Sequence, residues 1–203
     1  MKKIVYSLSF GTIGLKDYIK ILIKNLINNS TKNMNQDRTI IIENDTVKFS
    51  LMFKDVLFKI EIYLFDKIKN MLGDRKFPQK LDTILLLINT DKLKNIKKYK
   101  RKHIQKINQL LTKKGNYALI GVNHENNKID QEIIEKLIER SKILNMLYCF
   151  LLEDENKDIK SIFKKLLEDY VFNFRYSKPE LFELAQEYSK EIQKRPDSFL
   201  FLN

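Results

Sequence analysis

Residues 4–16 read IVYSLSFGTIGLK, and the change of period inside this stretch decides the fold. The segment from Ile4 to Phe10 is a short apolar run of strand length, and it ends at Gly11 and Gly14. Beyond the glycines, apolar side chains recur at three- and four-residue steps, as in an amphipathic helix packed on a sheet: Leu15, Tyr18, Ile19, Leu22, Ile23, Leu26 and Ile27. The chain is therefore predicted to open with a strand, a glycine turn and a helix.

The rest of the chain predicts an α/β fold. Residues 39–64 contain apolar stretches on both sides of a turn at Lys54-Asp55, which predict an antiparallel hairpin at a sheet edge. Continuous apolar runs at 83–88, 117–122 and 147–152 are typical of strands buried on both faces of a parallel sheet. Helices are predicted at 91–113, 130–144 and 158–171. The inward face of the last helix is predicted to comprise Ile159, Ile162, Phe163, Leu166, Leu167 and Tyr170. We expect six strands, mostly parallel with one antiparallel edge strand, and helices on both faces of the sheet.

The chain continues beyond this alternation. Pro179, at a first-turn position, begins a further predicted helix, and Pro196 ends it. The apolar stripe of this helix comprises Leu181, Ala185, Tyr188 and Ile192. We therefore divide the chain into a domain at 1–171 and a helical extension at 172–203, which packs on the domain or on a partner.

The composition excludes several classes of protein. Hydrophobic residues make up 43% of the chain and aromatic residues 11%, too much buriable surface for a disordered protein. One cysteine leaves no intramolecular disulfide, and one cysteine with two histidines argues against a zinc site. No apolar run approaches the roughly 18 to 20 residues of a membrane-spanning helix. We expect a cytoplasmic protein, either free or peripheral to a membrane.

The order of the elements, with the hairpin second, resembles the Ras-like small GTPase family over residues 3–171. The resemblance implies a P-loop NTPase fold that binds GTP or GDP with Mg²⁺ at the carboxyl ends of the strands. The phosphate loop of the family, G-x-x-x-x-G-K-[ST], falls on residues 9–16, which implies Gly11, Gly14 and Lys16 as phosphate-binding residues. Leu15 stands at the lysine position of the motif. A shift of one residue gives that role to Lys16 and places Asp17 where the magnesium-binding hydroxyl belongs.

The other motifs of the family are matched in part. Thr39 stands at the switch threonine and Asp66 at the aspartate of D-x-x-G, so the resemblance implies these two as magnesium ligands. Lys69 replaces the glycine of that second motif. Asn123 and Asn126 stand at the two ends of N-K-x-D, so that an amide replaces the carboxylate that recognises guanine.

These departures bear on four nucleotide contacts at once. Charge-assisted contacts contribute roughly 1.5 to 3 kcal/mol each, so their combined loss would exhaust ordinary nucleotide affinity. We expect a pseudo-GTPase with no catalytic residue and no cofactor, serving as a binding or scaffold subunit in signalling or membrane trafficking. Its protein partners would contact the switch-facing surface and the C-terminal helix. The alternative is a divergent GTPase that binds GTP or GDP with Mg²⁺ weakly and hydrolyses GTP slowly.

The net charge of +12 is concentrated in one segment, because residues 92–114 contain ten Lys or Arg and no acid. A lysine-rich composition explains such a run as a solvated helix face. The alternative is a docking face for an anionic membrane or for nucleic acid. This face would be formed by Lys97, Lys98, Lys100, Arg101 and Lys102. Nucleic acid is the less favoured partner, since only two tyrosines lie in or near the segment to stack on bases.

Overall fold

The computed structural model describes residues 5–30, 40–43, 45–73, 80–91, 93–123, 130–152, 155–193 and 200–201. The strands are β1 (Tyr6–Ile13), β2 (Ile40–Glu43), β3 (Thr46–Phe53), β4 (Val56–Phe65), β5 (Leu81–Asn89), β6 (Leu111–Val122), β7 (Tyr148–Leu152) and β8 (Leu200–Phe201). The helices are α1 (Lys16–Ser30), α2 (Ile68–Gly73), α3 (Leu93–Ile96), α4 (Arg101–Asn108), α5 (Gln131–Leu144), α6 (Glu155–Ser177) and α7 (Pro179–Gln193). None of the helices in these ranges is long and apolar enough to cross a membrane.

The strands form one sheet in the order β2-β3-β4-β1-β5-β6-β7, and β8 pairs with β3. Strands β4, β1, β5, β6 and β7 are parallel, whereas β3 is antiparallel to both of its neighbours β2 and β4. The predicted α/β class, the mostly parallel sheet and the antiparallel hairpin at its edge are confirmed.

The predicted count of six strands is wrong. Residues 40–43 form a separate strand that folds back on β3, with Glu43 opposite Thr46, so β2 and not the antiparallel β3 is the outer strand. The two residues of β8 add a second short strand, with Leu200 opposite Leu51. Strands of four and two residues contain too few alternating positions to be separated from their neighbours by periodicity.

Two apolar cores lie on opposite faces of the sheet, as the prediction of helices on both faces requires. Helices α1, α6 and α7 cover one face, and α2 to α5 cover the other. The residues of α6 that the sequence predicts to face inward are all buried: Ile159, Ile162, Phe163, Leu166, Leu167 and Tyr170. The ring centroids of Phe163 and Phe10 lie 6.0 Å apart, so α6 packs directly on the central strand β1.

The single helix predicted at 91–113 is wrong, because the structure has two short helices there and then a strand. Helix α3 ends at Ile96 and α4 begins at Arg101, and between them Tyr99 turns into the core with 2% of its surface exposed. Strand β6 then begins at Leu111, which pairs with Leu81 of β5. Burial of one tyrosine and the pairing of one strand end override the helical pattern.

The C-terminal residues continue directly from the domain. Helix α6 passes through the predicted boundary at 171/172 and ends at Ser177, and α7 begins at Pro179 as predicted. Helix α7 buries Phe182, Ala185 and Ser189. Of the predicted stripe, Ala185 is buried, Tyr188 and Ile192 are half-buried against Met52 and Leu57, and Leu181 is 40% exposed. The Ser189 hydroxyl accepts a hydrogen bond of 3.0 Å from the Leu57 backbone N–H, which fixes α7 on the β3–β4 hairpin.

Candidate functional site

The sheet order places a candidate site at the carboxyl ends of β1 and β5. From β1 the chain passes to strands on one side of the sheet and later returns to β5 on the other side. In open α/β sheets, ligands bind where the strand order reverses in this way, in the crevice beyond the carboxyl ends of the strands. Gly14 and Lys16, two of the predicted phosphate-binding residues, follow β1 at this position.

The predicted glycine turn is shorter than the sequence indicated. Strand β1 continues through Gly11 to Ile13, so Gly11 lies inside the sheet and not in a turn, which corrects its predicted place. A Cβ atom added at Gly11 would lie 2.5 Å from Met71 Cε and 2.7 Å from Leu81 Cδ1, so this glycine makes room for core side chains. Only Gly14 and Leu15 remain between the strand and α1, and both have a positive φ, of 92° and 51°.

The backbone N–H of Gly14 has a partner within the protein. It donates a hydrogen bond of 2.7 Å to the Phe65 carbonyl oxygen, which extends the pairing of β1 with β4 by one residue. In a phosphate-binding turn of this fold, such amides point toward the ligand. At Gly14 the amide is used by the sheet.

Tyr99 occupies the space beside Gly14. Its hydroxyl donates toward two carbonyl oxygens, those of Ile13 at 2.8 Å and Leu87 at 3.1 Å. A Cβ atom added at Gly14 would lie 2.8 Å from both the Tyr99 hydroxyl and the Leu87 oxygen. Burial raises the pKa of Tyr99, which keeps the phenol neutral and its proton available for donation. The carboxyl ends of β1 and β5 are therefore bridged by one phenol.

The segment around Tyr99 is held from the opposite side by α5. The Arg140 guanidinium donates a hydrogen bond to the backbone carbonyl of Tyr99. The Lys98 ammonium lies 5.3 Å from the centroid of the Tyr99 ring, and partial burial lowers the pKa of Lys98. These contacts fix both the backbone and the ring of Tyr99.

Lys16 and Asp66 lie at one cavity beside the carboxyl end of β4. The cavity has a volume of about 370 Å³, and its lining includes Lys16, Asp45, Asp66, Lys69 and Asn70. The Lys16 ammonium forms an ion pair with Asp45, whose carboxylate also lies 3.7 Å from the Lys20 ammonium. The structure thus brings two predicted site residues together, with a carboxylate on the lysine.

The remaining predicted site residues are only partly described. Asn123 follows β6, is buried, and its backbone N–H donates to the Leu152 carbonyl at 3.2 Å. Thr39 and Asn126 lie outside the described residues. Within the described ranges, no group of three or more His, Cys, Asp or Glu side chains is placed to hold a metal ion.

No protein-family model matches this chain, and no curated protein matches it.

The predicted basic face forms a continuous exposed surface. All five of its residues are exposed, and they lie in the turn between α3 and α4 and in the first turn of α4: Lys97, Lys98, Lys100, Arg101 and Lys102. His103 lies among them, and partial burial together with Lys102, Lys100 and Lys106 lowers its pKa. Burial makes the larger contribution to this shift, and the three lysines add to it in the direction expected of neighbouring positive charges.

One feature of the C-terminal surface was missed by the sequence analysis. Phe172 and Tyr176, one turn apart on α6, are 59% and 71% exposed, and their ring centroids lie 4.4 Å apart. Beside them is a cavity of about 560 Å³ whose lining includes Tyr176, Arg175 and Phe182. Their i, i+4 spacing on the polar side of the helix could have indicated this surface, but both residues fall beyond the predicted end of the helix.

Proposed function

We propose that this chain is a Ras-like, small-GTPase-like domain that has become a pseudo-GTPase and serves as a binding or scaffold subunit in intracellular signalling or membrane trafficking. The order of the elements supports the Ras-like assignment, with the hairpin after the first helix and β1 between β4 and β5. The P-loop NTPase classification remains part of this proposal.

The observation that carries the proposal is the position of Tyr99. A phosphate at this edge of the sheet would need the space and the free backbone amides of a glycine turn. Here the Tyr99 hydroxyl bonds to the carbonyls of Ile13 and Leu87, and the Gly14 amide bonds to Phe65. The place that would receive a phosphate is filled by a side chain and by the sheet itself.

The described residues also do not fit a magnesium ion bound to a nucleotide. The first turn of α1 offers the carboxylate of Asp17, which repels phosphate, where the family has a hydroxyl. Lys16, which would neutralise the phosphates, is paired with Asp45. We therefore derive no reaction step through a nucleotide.

The binding role is assigned to the C-terminal surface and the neighbouring cavity. Aromatic residues and arginine dominate the energetics of protein interfaces. Here exposed aromatic rings lie beside a cavity that has an arginine in its wall. Affinity capture from the native cell is expected to lose a partner when Phe172→Ser and Tyr176→Ser are combined. A Lys160→Ser, Lys164→Ser variant of the same helix is the matched control and should retain it.

The nucleotide part of the proposal is tested by thermal denaturation of the purified protein. GTP, GDP, ATP and XTP are each added with and without Mg²⁺, because a ligand that binds only the folded state raises the melting temperature. We expect no rise with any of them. A magnesium-dependent rise with GTP would contradict a nucleotide-free domain.

A second candidate function, a divergent GTPase, is favoured by the cavity that Lys16 and Asp66 share. In that case Asp45→Asn, which releases Lys16 from its ion pair, should increase the stabilisation by GTP. Asp66→Ala should abolish both this stabilisation and slow phosphate release. Phosphate release at the background rate in the wild type and in Asp45→Asn would exclude this function.

A further inference from the structure

The strongest charged surface of the protein lies around the start of α4. We define the basic face as the exposed residues Lys97, Lys98, Lys100, Arg101, Lys102 and Lys106. Asp66 and Lys67, which precede α2, both act electrostatically on the Lys98 ammonium, so the basic face meets a carboxylate at Lys98. Lys100, Lys102 and Lys106 all act electrostatically on His103, so these three cations lie close together.

The salt bridges among the described residues do not involve the basic face, although the Asp66 carboxylate acts electrostatically on Lys98. Other lysines pair with carboxylates, among them Lys48 with Glu61 and Lys54 with Glu168. In the part of the chain that the structure describes, none of the six cations of the basic face forms a salt bridge. A cluster of cations without salt bridges attracts polyanions. Its electrostatic potential decays over a Debye length of roughly 8 Å at physiological salt.

Aliphatic side chains border the basic face. The Arg101 Nε–H donates a hydrogen bond of 3.0 Å to the Ile143 carbonyl, which joins α4 to the end of α5. Ile143 is itself exposed, and Leu147, shortly beyond it, is 61% exposed. Between α4 and α5 lies a depression of about 440 Å³ with Arg101, Lys142 and Asn145 in its wall. Cations and aliphatic groups thus meet at one depression, which Ile104 and Leu144 also line.

These features favour an anionic lipid bilayer over nucleic acid as the partner of the basic face. The two aromatic side chains of the basic segment, Tyr99 and Tyr117, are buried, so neither can stack on a base. Exposed Leu147 and Ile143 have no complement on a phosphate backbone, whereas aliphatic side chains insert between lipid headgroups. We propose that the basic face, with Ile143 and Leu147 at its edge, docks on an anionic phospholipid bilayer.

The first test is sedimentation of the full chain with vesicles of phosphatidylcholine containing phosphatidylserine, compared with vesicles of phosphatidylcholine alone. We expect binding to the anionic vesicles that weakens as salt is raised. Lys97→Glu, Lys102→Glu and Lys106→Glu combined should lower the partition coefficient by about a hundredfold, since each cation near such a surface contributes roughly fivefold.

The matched control reverses three exposed lysines of α6, Lys160, Lys164 and Lys165, and so changes the net charge equally at another place. It should keep most of the binding, and circular dichroism checks that both variants are folded. Equal loss in the two variants would show that net charge alone drives the interaction, and would overturn the proposal. Equal binding to the two kinds of vesicle would overturn it as well.

The aliphatic edge gives a second measurement. Leu147→Ser should lower the partition coefficient severalfold and leave the salt dependence unchanged, because it removes an apolar contact and no charge.

The third measurement titrates the protein with a DNA duplex and a single-stranded RNA by fluorescence anisotropy. Tight binding to the DNA or to the RNA, with no binding to anionic vesicles, would assign the basic face to nucleic acid and overturn the proposal of a bilayer partner.

Discussion

The hydroxyl of Tyr99 lies 2.8 Å from the carbonyl oxygen of Ile13, the last residue of the central strand β1. Because the same hydroxyl also reaches the Leu87 carbonyl on β5, one phenol joins two strands at the edge where a ligand of this fold would bind. We expect this contact to stabilise the folded domain.

Tyr99→Phe tests this contact without changing the packed volume of the ring. The loss of a buried donor to two carbonyls should lower the free energy of unfolding by about 1 to 2 kcal/mol, measured by urea denaturation. Tyr176→Phe removes an exposed hydroxyl and should change it by less than about 0.5 kcal/mol. Equal changes in the free energy of unfolding of the two variants would show that the Tyr99 hydroxyl does not stabilise the fold.

Gly14→Ala tests the close approach of the turn to Tyr99. The φ of 92° at Gly14 is unfavourable for alanine, and the new Cβ would lie 2.8 Å from the Leu87 oxygen. We expect the free energy of unfolding to fall by about 1 to 3 kcal/mol, which lowers the melting temperature. Gly73, the last residue of α2, has open space around it, so Gly73→Ala should leave stability unchanged or raise it slightly.

Ser189→Ala tests the attachment of α7 to the hairpin. The variant removes the acceptor of the Leu57 N–H in a buried position, and an unsatisfied buried donor costs about 1 to 3 kcal/mol. Ser177→Ala is the control, because its exposed hydroxyl donates to the Asn173 carbonyl of its own helix. Hydrogen exchange at Leu57 should accelerate in the first variant and stay unchanged in the second.

Asp82 should give the domain a characteristic dependence on pH. Burial raises the pKa of Asp82, although its carboxylate accepts hydrogen bonds from the Ser9 N–H at 2.9 Å and from Thr112. The folded state therefore keeps the proton at a pH where the unfolded chain has lost it, so this contribution to stability is lost as pH rises through the raised pKa.

Asp82→Asn removes that dependence and preserves an acceptor for Ser9. Relative to the wild type, the variant should become more stable as pH rises from the ordinary aspartate pKa toward neutrality, measured by denaturation across that range. Asp55→Asn, in the exposed hairpin turn, controls for the change of net charge. A difference between the Asp82 variant and the wild type that stays constant with pH would show that this carboxyl does not titrate differently on folding.

The sequence predicts most of the architecture because burial on two faces leaves a clear pattern. The apolar runs around Leu85 and Ile120 become central parallel strands, and the inward stripe of α6 is found as expected. The hairpin turn at Lys54-Asp55 is also correct: both residues have a positive φ, as a tight hairpin requires.

The details of the candidate site could not be predicted from periodicity. Gly11 is a glycine because the side chains of Met71 and Leu81, which are far from it in sequence, occupy the space that its Cβ would need. Tyr99 looks like one aromatic residue in a lysine-rich helix, and only its two long-range hydrogen bonds show that it fills the crevice. Such contacts leave no local pattern.

The placement of β1 has a consequence for synthesis in the cell. This strand leaves the ribosome before its neighbours β4 and β5, which end at Phe65 and Asn89, and before the helix that covers Phe10, which extends to Ser177. A nascent chain therefore carries an uncovered apolar strand until α6 has been synthesised. Stalling before α6 would expose Leu8 and Phe10 to chaperones or to other unfinished chains, so the rate of elongation between β1 and α6 sets how long this exposure lasts.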